Sequence, residues 1–264
     1  MAHALHFGYV SECLLVHVPE VHMWMRNCKE VSNSATREGH VDLNLDAAAW
    51  LVHFKIQNAV LLNKLDLRMT RKYMWSKREE TEEGAPLLDL VDFGIKRVKY
   101  ASDCVIALVQ EIKRHSTEGR CKTLVAIDGF NAFFYPTTRV KTEAKVCVPP
   151  WKITLTEAFL EITKYDWCNA AVIVTVDKTS VPKHSQESSL PLYLLGKEGF
   201  EHLDPFVPIK MSEYDDNEVE SCLEYYIDRR WLQNKKGCTE EGKTELKYLS
   251  GMNPRRLMEI CAPL

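Results

Sequence analysis

The stretch Lys122-Thr123-Leu124-Val125-Ala126-Ile127-Asp128-Gly129-Phe130-Asn131-Ala132-Phe133-Phe134 decides the fold. Leu124 to Ile127 form an unbroken apolar run with two β-branched residues, the pattern of a strand buried on both faces. The run ends on an acid and a glycine. A carboxylate at the carboxyl end of a buried parallel strand stands where open α/β sheets bind their ligands. The competing reading is an Asp that caps the turn after the strand, and the run alone does not separate the two.

Elements of both kinds surround this strand. Leu14 to Val18 reads as a short strand stopped by Pro19. Residues 46–66 have helical spacing behind Asp46, with Trp50, Leu51, Phe54, Leu61, Leu62 and Leu65 on one face. After Pro86 a stripe of Leu88, Val91, Ile95, Val98, Ala101, Val105, Leu108 and Ile112 predicts a long helix bent near Gly94, its stripe packed in the core. A loop spans 136–150, and Thr154-Leu155-Thr156-Glu157 then opens a helix with a capping-box pattern. Ala171 to Val176 reads as another all-apolar strand, 177–191 as a polar loop and 206–211 as a fourth strand. Helix and strand in alternation predict an α/β fold with a mostly parallel sheet over residues 1–213. From 214 to 264 the pattern is helical only, the mark of a small C-terminal lid. Asp215, Thr239 and Asn253-Pro254 each start a helix there.

Composition narrows the function. The 264 residues carry 34 Lys and Arg against 37 Asp and Glu, a net charge of −3, so no global basic field holds nucleic acid. Nine cysteines without a C-x-x-C pair argue against a disulfide framework and a zinc ribbon, and fit cytosol or mitochondrial matrix. No apolar stretch reaches the length of a membrane span. No signal peptide or Arg-rich transit peptide is read at the N-terminus, where the first Arg is Arg26. The histidines lack metal-ligand spacing such as H-E-x-x-H, and no G-x-S-x-G elbow is present.

In P-loop nucleotide-binding proteins a strand like 122–128 is the Walker B strand, whose Asp holds Mg²⁺ directly or through water. The matching phosphate-loop pattern occurs at Gly237-Cys238-Thr239-Glu240-Glu241-Gly242-Lys243-Thr244. It reads as a decoy. A phosphate loop leaves a buried strand and opens a helix so that backbone N–H groups meet the phosphates. Here the preceding residues have helical spacing, and Glu240 and Glu241 would stand inside the anion cradle. The simplest expectation is that the chain begins after its own phosphate loop.

Long segments in fixed order then resemble one family. They are Leu124 to Thr138, Leu194-Leu195-Gly196-Lys197-Glu198-Gly199-Phe200 through Pro208, Glu220-Ser221-Cys222 through Gln233, and Thr239 to Lys243. Trp24, Asn27, Cys28 and the Tyr73 to Arg78 segment join them. Together they resemble the death-associated protein 3 family, GTP-binding proteins of the mitochondrial ribosomal small subunit. The resemblance implies an AAA+-like P-loop NTPase core, incomplete at the N-terminus, with a helical C-terminal lid. It implies a place in the mitochondrial matrix, partners among small-subunit proteins and rRNA, bridge contacts to the large subunit, and a link to apoptosis. It also implies GTP or GDP with Mg²⁺ as cofactor of the full-length member, little or none being expected on this chain.

Carried over residue by residue, Asp128 becomes the Walker B acid and metal ligand, and Thr175 and Asp177 fall in the sensor region of the cofactor site. Gly129 stands where hydrolytic members of the wider group place a Glu that activates water. A structural component of the small subunit, associated with GTP but inefficient at hydrolysis, is the expectation. An active GTPase switch and an apoptotic adaptor are the alternatives. For RNA, Arg71, Lys72, Tyr73, Trp75, Lys77 and Arg78 interleave cations with aromatics, which suits phosphates and stacked bases. The competing reading of that segment is a helix with a solvated basic face and inward aromatics.

Overall fold

The computed structural model describes residues 1–262 except 136–137, 143, 177 and 181–187, and nothing is said of the side chain at 179. Two compact units appear, Met1–Phe206 and Val207–Leu264.

The first unit begins with α1 (Ala2–Val10), β1 (Cys13–Val18) and α2 (Val21–Arg26). A two-stranded ladder of β2 (Ser32–Asn33) and β3 (Val41–Asp42) precedes the long α3 (Asn44–Leu65). A hairpin of β4 (Tyr73–Met74) and β5 (Glu80–Thr81) leads to α4 (Leu87–Lys96) and α5 (Ala101–Thr117). Then come β6 (Lys122–Ile127), α6 (Thr154–Ile162), β7 (Ala170–Val174) and α7 (Pro191–Leu203).

The central sheet is parallel, in the order β1-β6-β7, with His17 opposite Ala126 and Ala126 opposite Ile173. Thr123 to Ile127 are all buried, as a run apolar on both faces requires. Leu14, Val16 and Val18 turn one face of β1 into a core that also holds Phe54, Leu108, Phe130 and Phe159. This α/β architecture with a parallel sheet agrees with the sequence reading.

Four local readings differ from the structure. The helix predicted after Pro86 is two helices, broken at Arg97 by the short 3₁₀ turn Val98–Tyr100. Gly94 is a packing position instead of a bend: a Cβ there would lie 2.5 Å from Leu51 Cδ1 and 2.9 Å from Cys104 Cβ. The capping box at Thr154 does not form, because Ile153 is the N-cap and Thr154 already lies inside α6. The second apolar strand is β7, and Ala170 to Ile173 are exposed because it sits at the sheet edge. The fourth strand is absent. Val207, Ile209 and Met211 are 84%, 81% and 87% exposed in backbone that joins no ladder among the described residues.

The second unit packs α8 (Asp216–Asp228), α9 (Glu240–Ser250) and α10 (Pro254–Cys261) around Val219, Leu223, Leu232, Leu246 and Leu257. Each helix has a cap the sequence supplies. Asp215 and Glu218 form a reciprocal capping box, Thr239 accepts from the Gly242 N–H, and Asn253 accepts from Arg255 and Arg256.

Candidate functional site

Asp128 ends β6 and ties three segments together. Its N–H donates to the Val18 carbonyl at 2.9 Å, and its carbonyl accepts from the Val21 N–H at 3.1 Å. Gly129 follows in the left-handed region at φ +72°, a conformation glycine adopts without penalty, and turns the chain into the 130–134 helical turn. Phe130 and Phe133 anchor that turn in the core.

Thr175, one residue beyond β7, sets the acid's orientation. Its Oγ1 donates to Asp128 Oδ1 and accepts from the Gly129 N–H at 3.1 Å. Its backbone continues the ladder, with N–H to the Ile127 carbonyl and carbonyl from the Phe130 N–H, both at 2.9 Å. The structure therefore brings Asp128 and Thr175 together at the carboxyl end of the sheet. Asp177 lies outside the described residues. The printed bond of the Asp128 carboxylate goes to Thr175, and no backbone N–H of the following turn is among its recorded donors.

A nucleotide with Mg²⁺ makes two demands here. The metal side fits: a carboxylate held by a hydroxyl at the carboxyl end of parallel strands leaves an oxygen for a metal or its water. The phosphate side finds no cradle among the described residues. In the Gly237–Thr244 pattern the Gly242 N–H is taken by Thr239 Oγ1 at 3.1 Å. Lys243 Nζ is held by Glu220 at 2.5 Å and Glu240 at 3.1 Å. A Cβ at Gly242 would come within 2.0 Å of the Lys236 carbonyl oxygen, so this glycine serves close packing at a helix start.

The RNA candidates sit on the β4–β5 hairpin instead of a helix. Tyr73 and Trp75 stack at 5.8 Å, Trp75 on Phe93 at 5.5 Å, and Phe93 on Tyr100 at 6.1 Å. The Tyr73 hydroxyl donates to the buried Glu111 at 2.9 Å, and Trp75 Nε1 donates to Thr81 Oγ1 at 2.9 Å. Burial pushes the Tyr73 phenol above its usual range, with Arg71 opposing and Glu111 reinforcing. The Arg71 guanidinium lies 4.6 Å over the Tyr73 ring and donates to Gln110. Lys72 pairs with Glu80 at 2.8 Å and Glu82 at 3.1 Å. Lys77 and Arg78 are exposed at the hairpin tip and make no ion pair among the described residues.

The family described as mitochondrial ribosomal death-associated protein 3 matches residues 1–260. The chain belongs to that family. Over all 264 residues it is 40% identical to the small ribosomal subunit protein mS29 of Bos taurus, covering 66% of that protein. It is 38% identical to the Mus musculus protein of the same name, covering 67% of it. The chain thus spans about two thirds of the length of these curated relatives.

This member of the death-associated protein 3 family also carries a polar group that sequence reasoning passed over. His17 Nδ1 lies 3.1 Å from His53 Nε2 and 3.2 Å from Gln57 Nε2. Burial holds both imidazoles below the usual histidine range; for His17 the neighbouring His53 adds to the effect and Asp128 opposes it. His17 is one residue short of the end of β1, so the pair lies near Asp128 on the adjoining strand. A spacing of 36 residues carries no motif. The only signal in the sequence was a histidine on an otherwise apolar strand.

Proposed function

We propose that this chain is a structural protein of the small subunit of the mitochondrial ribosome, acting in the matrix beside rRNA and other small-subunit proteins. The observation that carries the reading is the family match over 1–260, together with 40% identity along the whole chain to a protein named for that subunit. The fold agrees with such a role. The hairpin that interleaves bases and aromatics is braced internally, and its contact with RNA reduces to Lys77 and Arg78 at the tip, joined by Arg97, which pairs with Glu79 at 2.7 Å.

Co-sedimentation of the tagged chain with mitochondrial ribosomal subunits, at moderate and high salt, tests it. Migration with the small subunit that survives high salt supports integration through packed protein interfaces. Loss only at high salt points to electrostatic contact with rRNA. Absence from the subunit peak at both salts overturns the proposal.

A second reading, a P-loop NTPase core that associates with GTP or GDP and Mg²⁺, is favoured by the Asp128–Thr175 pair. Those two residues would hold the metal side, and Gly129 leaves no carboxylate beside Asp128 to activate water. Mg²⁺-dependent binding of GTP by calorimetry, weakened at least tenfold in Asp128→Asn, supports this reading. Equal affinity in the two proteins removes Asp128 from it. Lys243→Ala is expected to leave nucleotide affinity unchanged, because its ammonium is held by Glu220 and Glu240.

A further inference from the structure

Helix α3 is apolar on its inner face, as a packed helix must be, with Trp50, Leu51, Phe54 and Leu62 buried. Its outer face is apolar as well. From Leu45 to Val60 the exposed positions are Leu45, Ala49, Val52, Ile56 and Val60. Ile56 and Val60 are 72% and 74% exposed, Leu45 and Val52 38% and 39%. A helix at a protein surface carries polar residues on its outer side, whereas one that is hydrophobic all round is covered on all sides. The intervals along the row are four, three, four and four residues, the spacing with which one helix packs against another. The row runs about 22 Å along the axis.

We infer that the Leu45–Val60 face of α3 docks an amphipathic helix of a neighbouring protein of the small subunit, a reading that rests on the ribosomal role proposed above. Charge selects the occupant. Lys55, beside the row, is paired with Asp92 at 2.5 Å, and Lys64, beyond its end, is paired with Glu12. His53 is half-buried and burial holds it toward the neutral form. The face therefore offers no free cation to a phosphate, which disfavours rRNA. It also lacks the basic flanks with which an interfacial helix binds anionic lipid. A single row of side chains falls well short of the ~800 Å² per partner of a standard stable interface, which disfavours a free dimer of this chain. The contact that fits is one seam of a larger assembly, an uncharged apolar stripe against an uncharged apolar stripe.

The test places p-benzoylphenylalanine at position 56 of the full chain, isolates mitochondrial small subunits and irradiates them. The expected product is an adduct with a helical segment of a small-subunit protein carrying apolar residues three and four apart. An adduct with rRNA, an adduct with a second copy of this chain, or no adduct in subunits that contain the protein overturns the inference and leaves the ribosomal role standing. Absence of the unmodified chain from the subunits overturns both. Independently, Ile56→Glu/Val60→Glu substitutes exposed positions and should melt with the unsubstituted chain. Its subunit-bound fraction should fall about tenfold or more, the loss expected when apolar anchors are replaced. Undiminished incorporation of that variant overturns the docking surface.

Discussion

The two edges of the central sheet are treated in opposite ways. At β1 the outer edge is closed by side chains of α3. Asn58 Oδ1 accepts from the Leu15 N–H at 2.8 Å and Nδ2 donates to the Leu15 carbonyl at 2.9 Å. Trp50 Nε1 donates to the His17 carbonyl at 2.9 Å. One amide thus does for Leu15 what a neighbouring strand would do, and α3 occupies the place of that strand. At β7 no strand pairs with the outer edge among the described residues, and Ala170-Ala171-Val172-Ile173-Val174 carries no charge or proline to discourage pairing. Edges are usually blunted by such residues or covered. A sheet edge is therefore made safe here by specific hydrogen bonds from a helix, and where those are missing the strand's apolar character is left in solvent.

The comparison breaks most visibly at Asn58. Asn58→Ala strands the Leu15 N–H and carbonyl in a buried site and opens a cavity, so unit 1 should lose about 2–4 kcal/mol. Denaturant melts measure the loss. Amide exchange at Leu15 should accelerate toward the rate seen along β7. Unchanged stability would mean that water replaces the amide and that the edge is not closed by Asn58 at all. Trp50→Phe keeps most of the packing against Phe54 and Phe159 and deletes only the bond to the His17 carbonyl. About 1 kcal/mol is expected, the net contribution of one hydrogen bond.

Acid should loosen the closed edge next. His17 and His53 flank it, and burial holds both below the usual range, so between the ordinary histidine value near ~6.5 and their folded values the unfolded chain binds more protons. Stability is then independent of these groups above pH ~6.5 and falls as pH drops below it. His115 and His202, also lowered by burial, act with the same sign. His53→Gln should reduce the slope of melting temperature between neutral and mildly acidic pH without removing it. An unaltered slope would show that the His17–His53 pair does not titrate with folding.

The closed edge and the open edge differ in how far the sequence betrays them. β6 with Asp128 was legible because every level agreed: an apolar run, a terminal acid and a glycine that turns the chain. α3 was legible from its spacing, but Asn58 was not read, although a polar residue four after Phe54 and four before Leu62 stands on the apolar stripe and needs a partner. β7 was placed within a residue or two and given the wrong burial, because an apolar strand reads alike at the centre of a sheet and at its rim; strand order is set by tertiary contacts. The period-two pattern of 206–211 predicted a strand where no ladder partner is described. The 73–81 hairpin escaped because two-residue strands are too short to show a period. Of the candidate site, Asp128 followed from the residues themselves, whereas the bond from Thr175 spans 47 residues and entered only through the family resemblance.

The smallest expected effect on folding belongs to the open edge, and it sharpens the contrast. Ile173 is 39% exposed on β7, and Ile173→Lys places a charge where edge strands commonly carry one. Little of its burial is lost, so the melt should shift by less than about 1 kcal/mol, in contrast to Asn58→Ala. Association should change far more. Light scattering of the unsubstituted chain is expected to rise with concentration and with salt, as an apolar edge left in solvent pairs with another. In Ile173→Lys that rise should be suppressed, because pairing would bury an ammonium beside the ladder. A lysine on the polar, exposed α8 surface, at Tyr225, raises charge by the same amount and should leave association intact. If both lysines suppress it equally, net charge and not the edge governs solubility, and the distinction between a closed and an open side of this sheet loses its physical consequence.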